Sequence, residues 1–141
     1  TTTSYSMYDL DPGIYNVAVS AINSVGTYYR ASNTFSISLK APPAPNTVNA
    51  NITKGYNGKY KLVVNWDRVP SKCQATKYVI MVNDSCGFVD SSKNSYETSN
   101  IPSGYVEISV AAENASGEGN PGIKYYRITT DTNGVPQISS S

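Results

Sequence analysis

A chain of 141 residues with a formal net charge of +1, 15% charged residues and no histidine has room for one domain of about 100 to 150 residues, or for one domain and a fragment. Its lysines and arginines are scattered, which leaves no basic footprint for nucleic acid or an anionic membrane, and no apolar run approaches the roughly 20 residues of a membrane span. Twelve tyrosines beside two phenylalanines and one tryptophan, with Ser, Thr and Asn filling the gaps between apolar residues, form a β-sheet composition.

Apolar periodicity stays near two along the chain, with no helical stripe over three turns, so the class is all-β. The first expected strands lie at 4–10, 13–23 and 33–39. The second alternates cleanly, with Tyr15, Val17, Val19 and Ala21 on one face and Asn16, Ala18 and Ser20 on the other, as in a half-buried strand. Lys40-Ala-Pro-Pro-Ala-Pro45 follows, and its prolines favour an extended connection over a central ladder position. It divides the chain into residues 1–40 and a second unit over 41–130, with 131–141 as an extension or linker.

In the second unit the strands are expected at 48–53, 59–66, 76–83, 95–99, 104–113 and 123–130, with a further short one near Phe88. Tyr60, Leu62, Val64 and Trp66 share one face of their strand, and Tyr78, Ile80 and Val82 share one face of the next. These are the two inner faces of a sandwich. Ile108, Val110 and Ala112 then repeat the alternation of the first unit. Leu10-Asp-Pro-Gly13 through Asn23-Ser-Val-Gly26 aligns without a gap on Ile101-Pro-Ser-Gly104 through Asn114-Ala-Ser-Gly117. In each copy a Pro/Gly corner feeds an inner strand, and Asn-x-x-Gly reverses it, with Gly26 and Gly117 supplying positive φ.

The Pro-Pro entry, Leu62-x-Val64-x-Trp66 with Pro70 after it, Tyr78-x-Ile80, and an Ile-Pro corner leading to Val-x-Ala-x-Asn-x-x-Gly resemble the fibronectin type III module. The resemblance covers about 41–130, and residues 4–40 resemble the last three strands of another copy. It implies an immunoglobulin-like β-sandwich preceded by a three-stranded half-sandwich. It also implies a tyrosine corner, whose place Tyr15 takes in the first unit. In the second unit that place falls to Val106, with Tyr105 one position early and directed outward. Trp66 is the expected core aromatic. The short Leu-x-Pro-Gly-x-Tyr corner and Pro-Pro linker are also similar to repeats in the tail-tip and host-recognition proteins of tailed bacteriophages.

The absence of histidine removes the usual general base and most transition-metal sites. Two acidic clusters, Asp9 with Asp11 and Asp84 with Asp90, are read as solvated loop acids, and no dense Asp-x-Asp-x-Asn calcium loop is present. The glycine-rich stretches 54–58 and 117–122 lack the Gly-Lys-Ser/Thr ending of a phosphate cradle. No cofactor or metal is expected. Cys73 and Cys86 flank a strand that would hold them too far apart to bridge, so free thiols are expected. Asn51-Ile-Thr, Asn83-Asp-Ser and Asn114-Ala-Ser fit the glycosylation pattern, as chance allows in an Asn- and Ser-rich chain.

Tyr28, Tyr29 and Tyr56, with Asn57 and Asn120, lie near turns and are the candidate partner-contact residues, because tyrosine suits recognition surfaces. The competing reading packs one tyrosine of each pair, Tyr28/Tyr29 and Tyr125/Tyr126, inward. The leading expectation is a non-catalytic structural or adhesive module, in a phage tail-tip or tail-fibre protein, displayed on a virion or outside a cell. Its partners would be other protein domains, or a surface receptor or glycan. An accessory module of a secreted carbohydrate-active enzyme and a receptor ectodomain are the alternatives. The apolar face of residues 4–40 must be covered, whether by preceding residues, another subunit or the second unit.

Overall fold

The computed structural model describes residues 3–54 and 59–140, except for the side chain of Tyr29. All regular elements among them are β-strands apart from one short 3-10 turn at Ser71–Cys73. The chain divides into two units, Thr1–Leu39 and Lys40–Ser141.

The first unit is a single hairpin. Strand β1 (Gly13–Asn23) pairs antiparallel with β2 (Gly26–Ile37) from Gly13 opposite Ile37 to Asn23 opposite Gly26, with an irregularity between Ser20 and Ile22. Register places Tyr15 opposite Phe35, and their rings stack with centroids 5.6 Å apart. The Tyr15 hydroxyl donates to the Asp11 carbonyl at 2.5 Å, closing a tyrosine corner. Two sequence expectations are corrected here. The strand expected at 33–39 begins at Gly26, because pairing with β1 starts at the turn, where Gly26 lies opposite Asn23. The strand expected at 4–10 does not form: those residues have no ladder partner among the described residues, and a strand exists only beside another, so the described part of the unit has two strands in place of three.

The second unit is a two-layer sandwich. One sheet has the order β3 (Val48–Lys54), β4 (Tyr60–Trp66), β7 (Ser95–Ile101). The other runs β11 (Pro136–Ser140), β10 (Gly122–Thr130), β8 (Gly104–Asn114), β5 (Lys77–Val82), β6 (Ser85–Asp90), and the short β9 (Gly117–Glu118) pairs with β8. All pairings are antiparallel. Residues 131–141 were expected as an extension, yet Pro136–Ser140 adds an edge strand and Ile138 packs on the core. The Asp131 carboxylate builds the intervening turn by accepting from the amides of Asn133 and Val135, both at 2.9 Å. Pro136 is tolerated as the first residue of an edge strand, where its missing N–H is least felt.

The two inner faces meet as the alternation predicted. Tyr60, Leu62, Val64 and Trp66 from β4 pack against Tyr78, Ile80 and Val82 from β5 and against Val106, Ile108, Val110 and Ala112 from β8. Tyr126 and Ile128 of β10 complete this layer. Of the pair Tyr125/Tyr126, the second points inward and the first is exposed. Trp66 and Tyr78 tilt against each other at 5.3 Å, and the buried Trp66 indole N–H meets no acceptor among the described residues. A polar contact between the Tyr60 hydroxyl and Thr130 joins the two layers, and Val69 N in the loop between β4 and β5 donates to the Tyr78 hydroxyl at 2.8 Å. Cys73 is half-buried and Cys86 exposed, and both are free thiols.

Candidate functional site

The two copies of the Asn-x-x-Gly turn show what the repeat is for. In the second unit, Asn114 ends β8 and is buried. Its Oδ1 accepts from Ser116 N at 2.8 Å, while its Nδ2 donates to the Lys40 carbonyl at 2.7 Å and the Cys73 carbonyl at 2.9 Å. One side chain thus fixes the turn, the proline-rich entry and the loop between β4 and β5. Gly119 allows the proline-rich entry segment to lie close, since a Cβ there would stand 1.8 Å from the Pro42 carbonyl oxygen. Gly117, with φ of 132°, takes a backbone conformation that an L side chain rarely adopts.

In the first unit, Asn23 makes the same turn, its Oδ1 accepting from Val25 N at 2.9 Å and Gly26 N at 3.2 Å. Among the described residues its Nδ2 reaches only the Tyr28 hydroxyl, at 3.4 Å. The repeat also extends further upstream than the corner. Ser4-Tyr5 stands where Ser95-Tyr96 stands, and Asp9 and Asn100 share a left-handed conformation, with φ of 56° and 64°. Positive φ at both non-glycine positions marks the same backbone corner.

Burial separates the two copies. Ile108 and Val110 are fully buried, whereas their counterparts Val17 and Val19 are 46% and 67% exposed. Tyr96 packs on the core with its ring against Gly87, whereas Tyr5 is 89% exposed. The first unit therefore carries an apolar, uncovered sheet face formed by Val17, Val19 and Phe35.

Tyr28 is exposed on β2, and the Tyr29 side chain lies outside the described residues, as do Tyr56 and Asn57. Asn120 is exposed between β9 and β10. Tyr28 belongs to the first unit and Asn120 to the second. Val106 is buried at the place that Tyr15 holds in the first unit, and Tyr105 is 72% exposed with the Arg127 guanidinium 5.4 Å from its ring centre.

Sequence reasoning did not find an open cleft of about 640 Å³ at the end of the second unit, lined by residues including Asp67, Arg68, Gln74, Tyr78 and Ser92. Arg68 spans it by donating from Nη1 to the Ser92 carbonyl at 3.2 Å. Burial raises the Tyr78 phenol above its ordinary pKa, opposed by the Val69 amide. Amide donation from Ser92 lowers the Asp90 carboxyl below its ordinary value. Among the described residues no group of three or more His, Cys, Asp or Glu is placed to hold a metal ion, and no helix is long and apolar enough to cross a membrane.

No protein-family model matches this chain, and no curated protein matches it. Among solved structures it is similar to the extracellular region of rat CD45, domains d3–d4, with a TM-score of 0.53 and 19% sequence identity over 98% of this chain and 70% of that chain. At that identity the likeness is one of fold. With the two facing antiparallel sheets, it establishes an immunoglobulin-like β-sandwich of the fibronectin type III kind.

Proposed function

We propose that this chain is a stretch of non-catalytic extracellular modules that spaces and presents protein-binding surfaces. In particular, we read it as part of the tail-tip or tail-fibre apparatus of a tailed bacteriophage, where it would contribute to host recognition. The tandem repeat joined by a proline-rich connector carries this reading, because the Asn114 contact with Lys40 fastens that connector to the module that follows it. A connector held in this way is an ordered part of the module it enters.

Asn114 also favours a source that leaves such sites unmodified. Asn114-Ala-Ser fits the glycosylation pattern, yet its Nδ2 is buried and engaged with two carbonyls. A glycan attached at that nitrogen would have no room and would remove a donor. Bacterial or phage synthesis avoids the conflict.

Immunogold labelling of virions with antibody raised against residues 41–140 tests the reading. Label confined to the tail tip or fibres is the expected result. Absence of label on virions, together with recovery of the protein as a free secreted product, would sink it.

A further inference from the structure

The uncovered face of the first unit has an internal template, because the second unit shows what lies against the same strands. Along its outer edge β8 pairs with β5, setting Val82 opposite Ile108, Ile80 opposite Val110 and Tyr78 opposite Ala112. The corresponding edge of β1 has no ladder among the described residues. β7 is a strand because β4 lies beside it, and residues 4–10, its counterpart in the repeat, form none. Tyr96 rests on Gly87 of β6, whereas Tyr5 projects into solvent. The Asn114 amide holds two carbonyls from segments that precede it, whereas the Asn23 amide has only a long contact with Tyr28.

These four differences ask for four separate pieces of one body: a β5-like edge strand, a β4-like strand, a glycine on a β6-like strand, and carbonyls from an entry segment and a loop. We propose that the β1–β2 face is the docking surface for the N-terminal half of a module of the same kind, carried on the polypeptide ahead of this stretch. Its β5-like strand adds antiparallel to β1. Its β4-like strand covers Val17, Val19 and Phe35 and orders residues 4–10 as a β7-like strand. Its entry segment receives the Asn23 amide. A second copy of this chain fits less well: hairpin stacked on hairpin would cover Val17 and Val19 but supply neither the edge strand nor the carbonyls for Asn23. The proposal does not depend on where the modules are displayed, so it stands or falls separately from the phage assignment.

The test compares hydrogen exchange at the β1 amides in the 141-residue chain and in the same chain extended upstream through its natural reading frame. The extension is about 60 residues, a little over half of a module of about 100. Exchange at Asn16 and Ala18, whose counterparts Glu107 and Ser109 turn their backbone groups toward β5, should slow by at least about 100-fold in the extended chain, with a second cooperative unfolding transition. Asn23→Ala should lower the midpoint of that transition and leave the other unchanged. A chimera with residues 41–94 placed directly ahead of Ser4 offers a second route to the same protection. Equal exchange in the chain and in both longer forms overturns the proposal. So does concentration-dependent dimerisation of the 141-residue chain that protects these amides equally.

Discussion

Asn114 and Lys40 stand 74 positions apart in sequence and are joined by a 2.7 Å hydrogen bond from the Asn114 amide to the Lys40 carbonyl. The bond closes the second unit at the point where the chain enters it. Because Asn114 is buried and also serves the Cys73 carbonyl and the Ser116 amide, removing its side chain strands three backbone groups at once. Asn114→Ala should lower the stability of the second unit by about 2–3 kcal/mol, since a buried polar group left unsatisfied costs about 1–3 kcal/mol. Asn23→Ala in the same 141-residue chain should change it by less than about 0.5 kcal/mol, as an exposed site does. Urea denaturation monitored by Trp66 fluorescence reads both.

Gly119 tests how tightly the entry segment is held. A methyl group there meets the Pro42 carbonyl oxygen at 1.8 Å, a backbone atom that cannot rotate away. Gly119→Ala should cost about 1–3 kcal/mol, the usual range for overpacking. A change below about 0.5 kcal/mol would show that residues 40–45 shift freely.

Ile108 and Val17 occupy equivalent places in the repeat but opposite environments. Ile108→Ala should destabilise the second unit by about 2–5 kcal/mol through loss of buried methyl groups and the cavity left behind. Val17→Ala should leave the same transition within about 0.5 kcal/mol. Similar losses at both sites would mean that the hairpin contributes to the core.

The pH dependence should be asymmetric about the buried phenol of Tyr78. Its folded pKa is raised, mainly by desolvation, so the folded state keeps the proton that the unfolded chain gives up near pH 10. The stabilisation from this group is complete below about pH 10 and is lost as pH rises toward and through the folded value. Tyr78→Phe should flatten that alkaline decline in a series of denaturation midpoints, even while losing the hydrogen bond from Val69 N.

Asp90 acts at the other end of the scale. Its pKa is lowered, first by the Ser92 amide, so its contribution is present above the ordinary carboxyl range near pH 4 and fades as pH falls through the folded value. Asp90→Asn should reduce the acid sensitivity of the turn between β6 and β7, measured as amide exchange at Ser92 and Lys93.

Alternation made the core legible. Tyr60, Leu62, Val64 and Trp66 could be assigned to one face from spacing alone, because successive side chains of any extended strand point to opposite sides, and all four are buried. The Asn-x-x-Gly turns were legible for a similarly local reason: an Asn side chain reaching its own next two or three amides needs nothing from the rest of the chain. The same local pattern misled at residues 4–10, where Tyr5 and Met7 alternate with serine but no strand among the described residues forms a ladder with them. It also hid β11, whose short polar sequence gives no periodic signal and which becomes a strand by pairing with β10. What the residues settle unaided is therefore which face of a strand is apolar and where the chain turns. Whether that face is covered, and whether Asn114 finds carbonyls while Asn23 does not, rests on groups distant in sequence, and only the assembled tertiary structure supplies those.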